Sequence, residues 1–479
     1  MRSRLIVRTV QWQGLIGKRR AIMLASDVLA NACDATLTGP VAAFSSVSID
    51  TRTVMPGALF VALRGENFDG HRFVEQAVAA GATGVVVSQA VTVPTHVTVM
   101  RVADTLVALQ KMGHAARMAF NGPVIAVTGS NGKTTTKQLI ASVCRAHYGP
   151  GAVLATDGNL NNHIGVPLTL LRLRSTHRVA VIEMGMNHFG EIALLSELVE
   201  PTIALVTNAG SAHLEGVESI EGVALAKGEI FGSLRAGGVA VLNADDYFHA
   251  YWQVVSRAHP QLTFGLSTSA DVAGQYDFVK SVLKLSLTPT SEPVSINLSL
   301  AGEHNARNAL AAAAVARALG IDAPTIKAGL ETASNIDGRL TRRVIANGTT
   351  IIDDSYNANP ASMRAAAQVL MAESGSKIMV IGDMAEMGAS SDAMHQALLA
   401  ELSQLPFTAL LTLGERMQRA AAAMNISRDR VKTFTDIDLL VSDLKTQLSS
   451  DTTVLVKGSR SMAMERVIKK LEPTHKGAH

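Results

Sequence analysis

The chain is poor in cysteine and balanced in charge, and both features exclude classes of protein. Its two cysteines among 479 residues, Cys33 and Cys144, are far apart and form no CxxC pattern. We therefore expect neither a disulfide nor a zinc site, and isolated thiols in apolar surroundings indicate a reducing, cytoplasmic compartment. The 43 Lys plus Arg against 40 Asp plus Glu give a formal charge of +3, without a long basic run that contains aromatics. Nucleic acid is therefore not an expected partner.

Long apolar runs are also absent from the sequence. No uninterrupted apolar segment reaches the roughly 18 residues that a membrane-spanning helix requires, so we expect no membrane insertion. The apolar centre of the basic N-terminal segment is too short and broken for a signal peptide. Met23 stands immediately before a predicted helix over 24–32, so residues 1–22 are interpreted as an extension or as the product of an upstream start.

The composition that is present indicates several packed α/β domains. Hydrophobic residues make up 47% of the chain, mainly Ala, Val and Leu, whereas aromatic residues make up 4% and charged residues 17%. Charged residues are thus fewer than the usual quarter, which is typical of a chain that is mostly packed helix and strand. A chain of 479 residues is long enough for about three domains of the usual size.

Alternation of apolar strands and helical patterns divides the chain into three α/β sections, 1–120, 121–338 and 339–479. Asn121-Gly122-Pro123 marks the first boundary, and a turn near 335–338 marks the second. Uniformly apolar strands in the middle section predict a parallel sheet that is covered on both faces. Strands are predicted at 58–63, 84–88, 97–102, 124–128, 179–183, 203–207, 239–243, 350–353, 377–381, 409–413 and 453–456.

The most specific pattern is a strand that runs directly into a glycine loop and a helix. Strand 124–128 is followed by Gly129, Ser130, Asn131, Gly132, Lys133, Thr134 and Thr135. In such a loop backbone N–H groups converge on phosphate oxygens, Lys133 neutralises the terminal phosphates, and Thr134 offers a hydroxyl to Mg²⁺. The spacing is shorter than the common form, which has a glycine where this chain has Val127. A chance glycine turn is the alternative, but the strand–loop–helix order favours a nucleotide triphosphate site.

Three further residues of the middle section are candidates for metal or catalytic chemistry. Glu183 ends an apolar strand, where a carboxylate can hold the Mg²⁺ that bridges phosphates, although a solvated strand-end acid is the simpler interpretation. His213 lies in a polar loop and is a candidate for a second cation or for orienting a neighbour, but taken alone it is a loop histidine. Lys227 falls on an apolar helix, where a lysine usually extends its amine to solvent.

Polar clusters elsewhere are candidates for substrate contacts. Asn161 and Asn162 lie in an asparagine-rich segment that suits sugar or amide recognition, although turn formation alone explains part of it. After a strand of the third section, the segment 353–360 is expected to contribute side chains from across a cleft, and Lys457 follows the last strand of that section. A cation and a hydroxyl there can receive a carboxylate, with an ordinary capped helix start as the alternative. The candidates in these last two segments are Tyr356, Asn357, Asn359, Lys457, Ser459 and Arg460.

Seven motifs occur in one order along nearly the whole chain. They are T-G-S-N-G-K-T-T, G-N-L-N-N-H-I-G-V-P, V-I-E-M-G, T-N-A-G-S-A-H-L-E, A-K-G-E-I-F, G-E-H-N-A-R-N-A-L-A-A and D-D-S-Y-N-A-N-P-A-S-M. In this combination the chain resembles the Mur ligase family. The resemblance implies a small N-terminal α/β uridine-nucleotide domain, a central parallel-sheet P-loop ATPase domain and a C-terminal Rossmann-like α/β domain that binds a dipeptide.

The resemblance also implies a reaction and its substrates. Thr51 and Arg52, with the motif P-G-A-L-F-V-A-L-R-G, are similar to the uridine-nucleotide domain of the two later ligases. The motifs D-S-Y-N-A-N-P, I-G-D-M-A-E-M-G and K-G-S-R imply the ligase that joins D-alanyl-D-alanine to UDP-N-acetylmuramoyl-tripeptide in peptidoglycan synthesis. ATP would activate the tripeptide carboxylate as an acyl phosphate, which the dipeptide amine then attacks. The family leads us to expect a monomer.

Individual site residues follow from matching motif positions. The resemblance implies Mg²⁺ at Thr134 and Glu183, and a second Mg²⁺ near His213 and Lys227, with Lys227 carbamylated. It implies that Arg339 reaches the phosphates and Asp354 the ribose, while Asn305 and Asn308 lie on the adenine side. We also expect the third domain to close over bound nucleotide.

Three alternatives remain open at the level of sequence. They are the sister ligase that adds lysine or diaminopimelate, a folylpolyglutamate synthetase, and an ATP-binding switch that forms no amide bond. The sister ligase is expected to carry a D-N-P-R-like element, which this sequence lacks.

Overall fold

The chain folds into three β-sheets, each with its own helices. The structure is a computed structural model that describes residues 24–211, 214–266, 269–288, 292–333, 338–424 and 430–471. The predicted three-domain α/β fold is confirmed. The expected boundaries at 120/121 and 338/339 stay a prediction. The segment 1–22 and His213 lie outside the described residues. Among the helices that are described, none is both long and apolar enough to cross a membrane.

The first domain is a five-stranded sheet in the order β1-β5-β4-β3-β2, parallel except for the β1–β5 pair. Its strands are β1 Thr36–Thr38, β2 Val47–Ser48, β3 Leu59–Val61, β4 Gly84–Val87 and β5 Thr98–Arg101, and its helices are α1 Ser26–Ala32, α2 Val74–Ala79 and α3 Thr105–Ala119. Helix α3 begins at Thr105 because Asp104 accepts hydrogen bonds from the N–H groups of Leu106 and Val107. Such a side-chain cap satisfies N–H groups that a helix start leaves unpaired.

The central domain is a nine-stranded sheet in the order β14-β13-β12-β11-β10-β9-β6-β8-β7. Its strands are β6 Val124–Thr128, β7 Val153–Ala155, β8 Val179–Glu183, β9 Ile203–Val206, β10 Val239–Asn243, β11 Gln261–Gly265, β12 Val272–Asp277, β13 Val282–Ser286 and β14 Val294–Asn297. Its helices are α4 Lys133–Tyr148, α5 Gly165–Leu170, α6 Glu191–Val199, α7 Leu214–Val217, α8 Ile220–Gly228, α9 His249–Val255, α10 Glu303–Ala318 and α11 Ala323–Glu331. The seven strands β6 to β12 run parallel, and β13 and β14 add an antiparallel edge that the sequence interpretation did not predict.

Both faces of the central sheet are covered, as its uniformly apolar strands predicted. Along β6, Ile125 and Val127 pack with α4, α10 and α11, whereas Val124 and Ala126 pack with α5, α6 and α8. Since side chains alternate across a strand, each helical layer receives every second residue. The carboxyl ends of the parallel strands therefore remain free to carry polar groups at one edge.

The third domain is a six-stranded sheet in the order β15-β16-β20-β17-β18-β19, parallel except at its β15 edge. Its strands are β15 Thr341–Val344, β16 Thr350–Asp354, β17 Ser376–Gly382, β18 Ala409–Leu413, β19 Val431–Phe434 and β20 Thr452–Lys457. Its helices are α12 Pro360–Met371, α13 Ser391–Ser403, α14 Glu415–Ala423, α15 Ile437–Lys445 and α16 Glu465–Leu471. Helices α12 to α14 cover one face and α15 and α16 the other.

A buried arginine joins the first domain to the central one. Arg117 of α3 is fully buried and donates to the carbonyl oxygens of Val199 and Glu200 at the end of α6, at 2.6 and 2.8 Å, and of Phe120 at 3.0 Å. Burial lowers the pKa of Arg117 to about 10. The guanidinium thus satisfies carbonyls that a helix C-terminus leaves unpaired.

Candidate active site

The glycine loop lies at the carboxyl end of β6, which is an interior strand between β9 and β8. Gly132 precedes the first residue of α4 and has a φ of 78° and a ψ of −2°. A β-carbon at this position would lie 2.2 Å from Oδ1 of Asn308, so both conformation and space require glycine. The loop therefore places the N-terminus of a sixteen-residue helix at the strand edge, where a helix favours bound anions.

The amine of Lys133 folds back over this loop. Its Nζ donates to the carbonyl oxygen of Gly129 at 2.6 Å and approaches that of Ser130 at 3.4 Å. Burial lowers the pKa of Lys133, and the negative charge of Glu183 opposes this effect. The cation is thus held beside the loop, where terminal phosphates would lie.

Asn131 connects the loop to two other parts of the chain. Its N–H donates to Oδ1 of Asn208 at 3.0 Å, and its carbonyl oxygen accepts from Oγ1 of Thr207 at 2.7 Å and Nδ2 of Asn208 at 2.9 Å. Its side-chain Oδ1 accepts from Nδ2 of Asn359 at 2.7 Å. Asn359 also caps α12, because its own Oδ1 accepts from the N–H of Ser362. One hydrogen bond thus connects the phosphate loop to the third domain.

Glu183 is buried at the end of β8, next to the glycine loop. Its Oε1 accepts from Nδ2 of Asn161 at 2.8 Å and from Oγ1 of Thr134 at 3.2 Å. Its Oε2 lies 3.3 Å from Nζ of Lys137. Glu183 is therefore not a solvated strand-end acid, and Asn161, which we expected at the substrate, contacts this carboxylate.

Arg339 reaches the loop from the start of the third domain. Its Nη2 donates to Oγ1 of Thr134 at 3.2 Å, and its guanidinium lies 4.4 Å from the centre of the Tyr356 ring. The guanidinium of Arg460 lies 5.9 Å from the same ring. Cations near an aromatic face are attracted by its quadrupole. Tyr356 thus contacts one arginine beside the nucleotide loop and a second at the end of the last strand.

Lys227 is fully buried on α8, so it is not the solvent-reaching lysine of the simpler interpretation. Burial, and secondarily the positive charge of Lys133, lower the pKa of Lys227 well below its ordinary value. Burial favours the neutral form of an amine over the charged form. A neutral buried lysine is a nucleophile rather than a counter-ion.

A cavity of about 650 Å³ lies beside the loop, between the central and third domains. Eight of the predicted site residues line it: Asn131, Gly132, Thr135, Asn305, Asn308, Arg339, Asp354 and Lys457. Thr134 and Glu183 connect to the cavity through Arg339, which both lines it and donates to Thr134. Residues that are distant in sequence and come from two domains thus meet at one concave surface.

The central wall of the cavity carries the two asparagines predicted on the adenine side. Nδ2 of Asn308 donates to Oδ1 of Asn305 at 3.2 Å, and Oδ1 of Asn308 accepts from Oγ1 of Thr136 at 3.2 Å. His304 lines the same wall. Burial, together with the positive charges of Lys457 and Arg307, lowers the pKa of His304 to about 4. This imidazole is therefore neutral near pH 7.

On the opposite wall, Asp354 and Lys457 face each other from neighbouring strands. They are register partners in β16 and β20, and Nζ of Lys457 lies 2.5 Å from Oδ2 of Asp354. Nζ of Lys457 also donates to the carbonyl oxygen of Asn357 at 2.9 Å. The cation that we expected to receive a substrate carboxylate is thus paired within the protein.

The segment after β20 differs from the helix start that we expected. Residues Arg460–Met462 form a single 3₁₀ turn, and the Ser459 side chain makes no capping hydrogen bond to it. The Ser459 hydroxyl instead lies 3.1 Å from that of Ser461, and the N–H of Arg460 donates to Oδ1 of Asn357. Helix α16 begins only at Glu465. The capped-helix interpretation of Ser459 is therefore wrong.

Other predicted substrate residues have local roles. Oδ1 of Asn162 accepts from the N–H groups of Ile164 and Gly165, so this asparagine makes a turn into α5. Thr51 lies in a 3₁₀ turn that Asp50 caps. Arg52 pairs with Asp50 at 2.5 Å in the first domain, and hydrogen bonds from Arg52 lower the pKa of Asp50 to about 2.

Sequence interpretation assigned no role to three residues that organise the site: Lys137, Thr207 and Asn208. Lys137 lies one helical turn after Lys133, which a helical pattern could have revealed. It nevertheless points to Glu183 rather than to the phosphate loop. Thr207 and Asn208 follow β9, next to β6 in the sheet. Their position at the shared carboxyl edge is the signal that points to a role beside the loop.

Comparison with known protein families identifies three matching regions along the chain. Residues 127–316 match the Mur ligase middle domain, residues 338–460 match the Mur ligase glutamate ligase domain, and residues 43–145 match the catalytic domain of the Mur ligase family. These regions overlap the three sheets and include the glycine loop, Glu183 and the third-domain wall of the cavity.

Individual relatives cover nearly the whole chain. The UDP-N-acetylmuramoyl-tripeptide–D-alanyl-D-alanine ligase of Escherichia coli K12 is 39% identical over 440 residues, which is 91% of this chain and 95% of that protein. A crystal structure of MurF from Acinetobacter baumannii is 35% identical and has a TM-score of 0.86, with coverage of 94% and 98% of the two chains. MurF from Thermotoga maritima in complex with ADP is 26% identical and has a TM-score of 0.75, with coverage of 89% and 96%.

Proposed function

Since the chain belongs to the Mur ligase family, we propose that it is the ATP-dependent ligase that joins D-alanyl-D-alanine to UDP-N-acetylmuramoyl-tripeptide. The product is the UDP-N-acetylmuramoyl-pentapeptide of peptidoglycan synthesis. Relatives that carry this activity in their names align over about nine-tenths of the chain. The sister ligase and folylpolyglutamate synthetase are expected to share the phosphate loop, so the amine substrate distinguishes these enzymes.

One observation carries the nucleotide part of the proposal. The cavity beside the glycine loop is lined by Gly132 and Asn308 on one wall and by Asp354 on the other. A phosphate-binding loop at one end and polar groups of two domains along the walls suit a nucleoside triphosphate. ATP bound there would have its phosphates at Lys133 and Arg339, its adenine toward the asparagines and its ribose at Asp354.

Mg²⁺ fits beside this loop with few protein ligands. No cluster of three or more His, Cys, Asp or Glu side chains suited to a metal occurs within the described ranges. Mg²⁺ in nucleotide sites is commonly held by one or two carboxylates, hydroxyls, water and the substrate phosphates. The Thr134 hydroxyl and Oε1 of the Glu183 carboxylate are 3.2 Å apart, whereas Oε2 lies 3.3 Å from the Lys137 amine on the other side. This pair would hold Mg²⁺, which neutralises phosphate charge when bound.

The environment of Lys227 supports carbamylation. An amine must be neutral to add CO₂, and burial lowers the pKa of Lys227 well below its ordinary value. Addition of CO₂ to the neutral amine, with loss of one proton, gives an anionic carbamate, which the positive charge of Lys133 would attract. A carbamate at Lys227 would then serve a second Mg²⁺ together with His213. An intact-mass increase of one CO₂ that disappears in Lys227→Ala would support this assignment, and an unmodified Lys227 would contradict it.

The proposed reaction has two steps. The terminal carboxylate of the tripeptide attacks the γ-phosphorus of ATP, forming an acyl phosphate and releasing ADP. The amine of D-alanyl-D-alanine then attacks the acyl carbon, and the tetrahedral intermediate expels phosphate as the amide forms and the amine loses its proton. Lys133 and Arg339 counter the negative charge that accumulates when two anions meet.

The remaining substrate contacts are divided among the three domains in this proposal. Thr51 and Arg52 belong to the domain, residues 1–120, that would bind the uridine nucleotide. The third domain, residues 339–479, would bind the dipeptide through residues at the carboxyl edge of its sheet: Tyr356, Asn357, Asn359, Lys457, Ser459 and Arg460. Asn161, Asn162 and the central domain, residues 121–338, would face the muramoyl peptide.

Phosphate release from ATP tests the proposed function. The purified protein is given the UDP-linked tripeptide and D-alanyl-D-alanine separately and together. We expect phosphate release only when both are present. Release that needs the nucleotide sugar with a single amino acid would favour the sister ligase, and release that is indifferent to both would refute a ligase.

A further inference from the structure

A fully buried lysine lies behind the carboxylate that the proposed function assigns to Mg²⁺. Lys137 is on the second turn of α4, and its exposed fraction is 0%. Its Nζ lies 3.3 Å from Oε2 of Glu183, whose exposed fraction is 2%. Lysine is almost never fully buried unless it is paired. The lysine therefore requires an explanation that ordinary helix packing does not supply.

Thr156 closes a ring around this pair. Its carbonyl oxygen accepts from Nζ of Lys137 at 2.8 Å, and its Oγ1 accepts from the N–H of Glu183 at 2.9 Å. The N–H of Thr156 in turn donates to the carbonyl oxygen of Val181 on β8. The backbone carbonyl of Thr156 thus holds the Lys137 amine, and the hydroxyl of the same residue holds the backbone N–H of Glu183.

The two oxygens of Glu183 consequently face different partners. Oε2 faces the Lys137 amine, whereas Oε1 faces Asn161 and the Thr134 hydroxyl. A carboxylate with one oxygen held from behind has fewer side-chain orientations open to it. Its other oxygen then stays directed toward the hydroxyl at the start of α4, next to the loop.

From this geometry we infer that Lys137 is a positioning residue that holds Glu183 in the orientation needed to bind Mg²⁺ with the nucleotide. The inference rests on the proposed function for the identity of the metal. Lys137 itself would contact neither the nucleotide nor the metal, and it acts through the Glu183 carboxylate. Partners that orient a ligating carboxylate typically change metal affinity by roughly 10- to 100-fold when they are removed.

The test compares metal binding with nucleotide binding in the full chain, without either peptide substrate. Mn²⁺ serves as the probe, and its affinity in the presence of ADP is measured by electron paramagnetic resonance. ADP affinity is measured separately with all metal removed by chelator. For Lys137→Met we expect Mn²⁺ affinity to fall by roughly 10- to 100-fold, while metal-free ADP affinity stays within about twofold. Lys327→Met is the matched control, since Lys327 is also paired with a glutamate, Glu331 at 3.8 Å, but on the surface.

A double variant distinguishes positioning from a general effect on folding. Removing one member of a buried ion pair leaves an uncompensated charge, so Lys137→Met alone can destabilise the protein. Lys137→Met combined with Glu183→Gln leaves no unpaired charge. If Lys137 acts through Glu183, the double variant binds Mn²⁺ no more weakly than Glu183→Gln alone, because neighbouring residues with a shared role are not additive.

Two results would overturn the inference. One is a Lys137→Met protein that binds Mn²⁺ in the presence of ADP as tightly as the unaltered chain. The other is an additive loss of Mn²⁺ affinity in the double variant, which would give Lys137 an effect independent of Glu183. Neither result bears on whether the unaltered protein makes the pentapeptide, so a failure here is distinguishable from a failure of the proposed function.

Discussion

Replacing Gly132 with alanine tests how tightly the glycine loop and the adenine-side asparagines are built together. Gly132 has a φ of 78°, and an added β-carbon would lie 2.2 Å from Oδ1 of Asn308. A non-bonded carbon and oxygen cannot approach each other so closely, so the Asn308 side chain has to move. The substitution therefore combines backbone strain at the start of α4 with the displacement of a residue that lines the cavity.

The magnitude follows from these two effects. Left-handed backbone costs a residue with a β-carbon roughly 1–2 kcal/mol. Displacement of Asn308 breaks its 3.2 Å contacts with Thr136 and Asn305, and unsatisfied buried polar groups cost roughly 1–3 kcal/mol. We expect Gly132→Ala to lower the free energy of unfolding by roughly 2–5 kcal/mol in total. Loss of one hydrogen bond to the nucleotide would weaken ADP binding about tenfold.

Gly190→Ala is the matched control for this prediction. Gly190 also precedes the first residue of a helix, α6, with a φ of 82° and a ψ of −16°. A β-carbon there would have no neighbour within 4 Å. It therefore carries the same backbone strain without the collision.

Urea denaturation and calorimetric titration with ADP measure the two effects. We expect Gly190→Ala to lose only the strain of roughly 1–2 kcal/mol and to keep its ADP affinity. Equal losses of stability in the two variants, or unchanged ADP affinity in Gly132→Ala, would refute the argument that Asn308 and the loop are mutually fitted.

Two further predictions concern the third domain. Burial lowers the pKa of His395 below 6.5, and Nε2 of His395 accepts a hydrogen bond from the N–H of Met384. The contribution of the neutral imidazole to stability is therefore complete above pH 6.5, and it is lost as the pH falls through the lowered pKa. The urea midpoint should therefore fall more between pH 7 and about pH 5 in the unaltered protein than in His395→Gln, and equal falls would contradict this role. In Asn359→Ser the serine can still cap the helix, but its side chain is too short to reach Asn131. We therefore expect a larger radius of gyration by small-angle scattering and an unchanged helix content by circular dichroism. Identical scattering curves would contradict a role for the Asn359–Asn131 hydrogen bond in holding the domains together.

Much of the fold could be predicted because its strands are apolar throughout. β6, β8, β10 and β18 have the predicted bounds, since the first three are apolar runs that end in a polar residue and β18 is a mainly apolar run followed by Gly414. The antiparallel edge β12 to β14 was missed because its burial pattern is mixed and its residues alternate with polar ones. Edge strands are weakly specified by hydrophobic pattern alone.

The site could be predicted only where a motif is local. The phosphate loop is one continuous segment, so its strand, glycines and helix were all predicted. The pairing of Asp354 with Lys457 depends on β16 lying beside β20, although the two residues are 103 positions apart in the sequence. The Lys137–Glu183 pair likewise requires knowledge of which helix covers which strand. Sequence gives residue type and local spacing, whereas these contacts depend on sheet order.

The fate of the carboxylate oxygens tests the central claim most directly. The UDP-linked tripeptide is prepared with oxygen-18 in its terminal carboxylate and is converted with ATP and D-alanyl-D-alanine. An acyl phosphate requires that one labelled oxygen leaves with inorganic phosphate, while the other stays in the new amide of a pentapeptide product. Mass spectrometry of phosphate and product should show this division. Unlabelled phosphate, or labelled phosphate without a D-alanyl-D-alanine adduct, would contradict the proposed ligase.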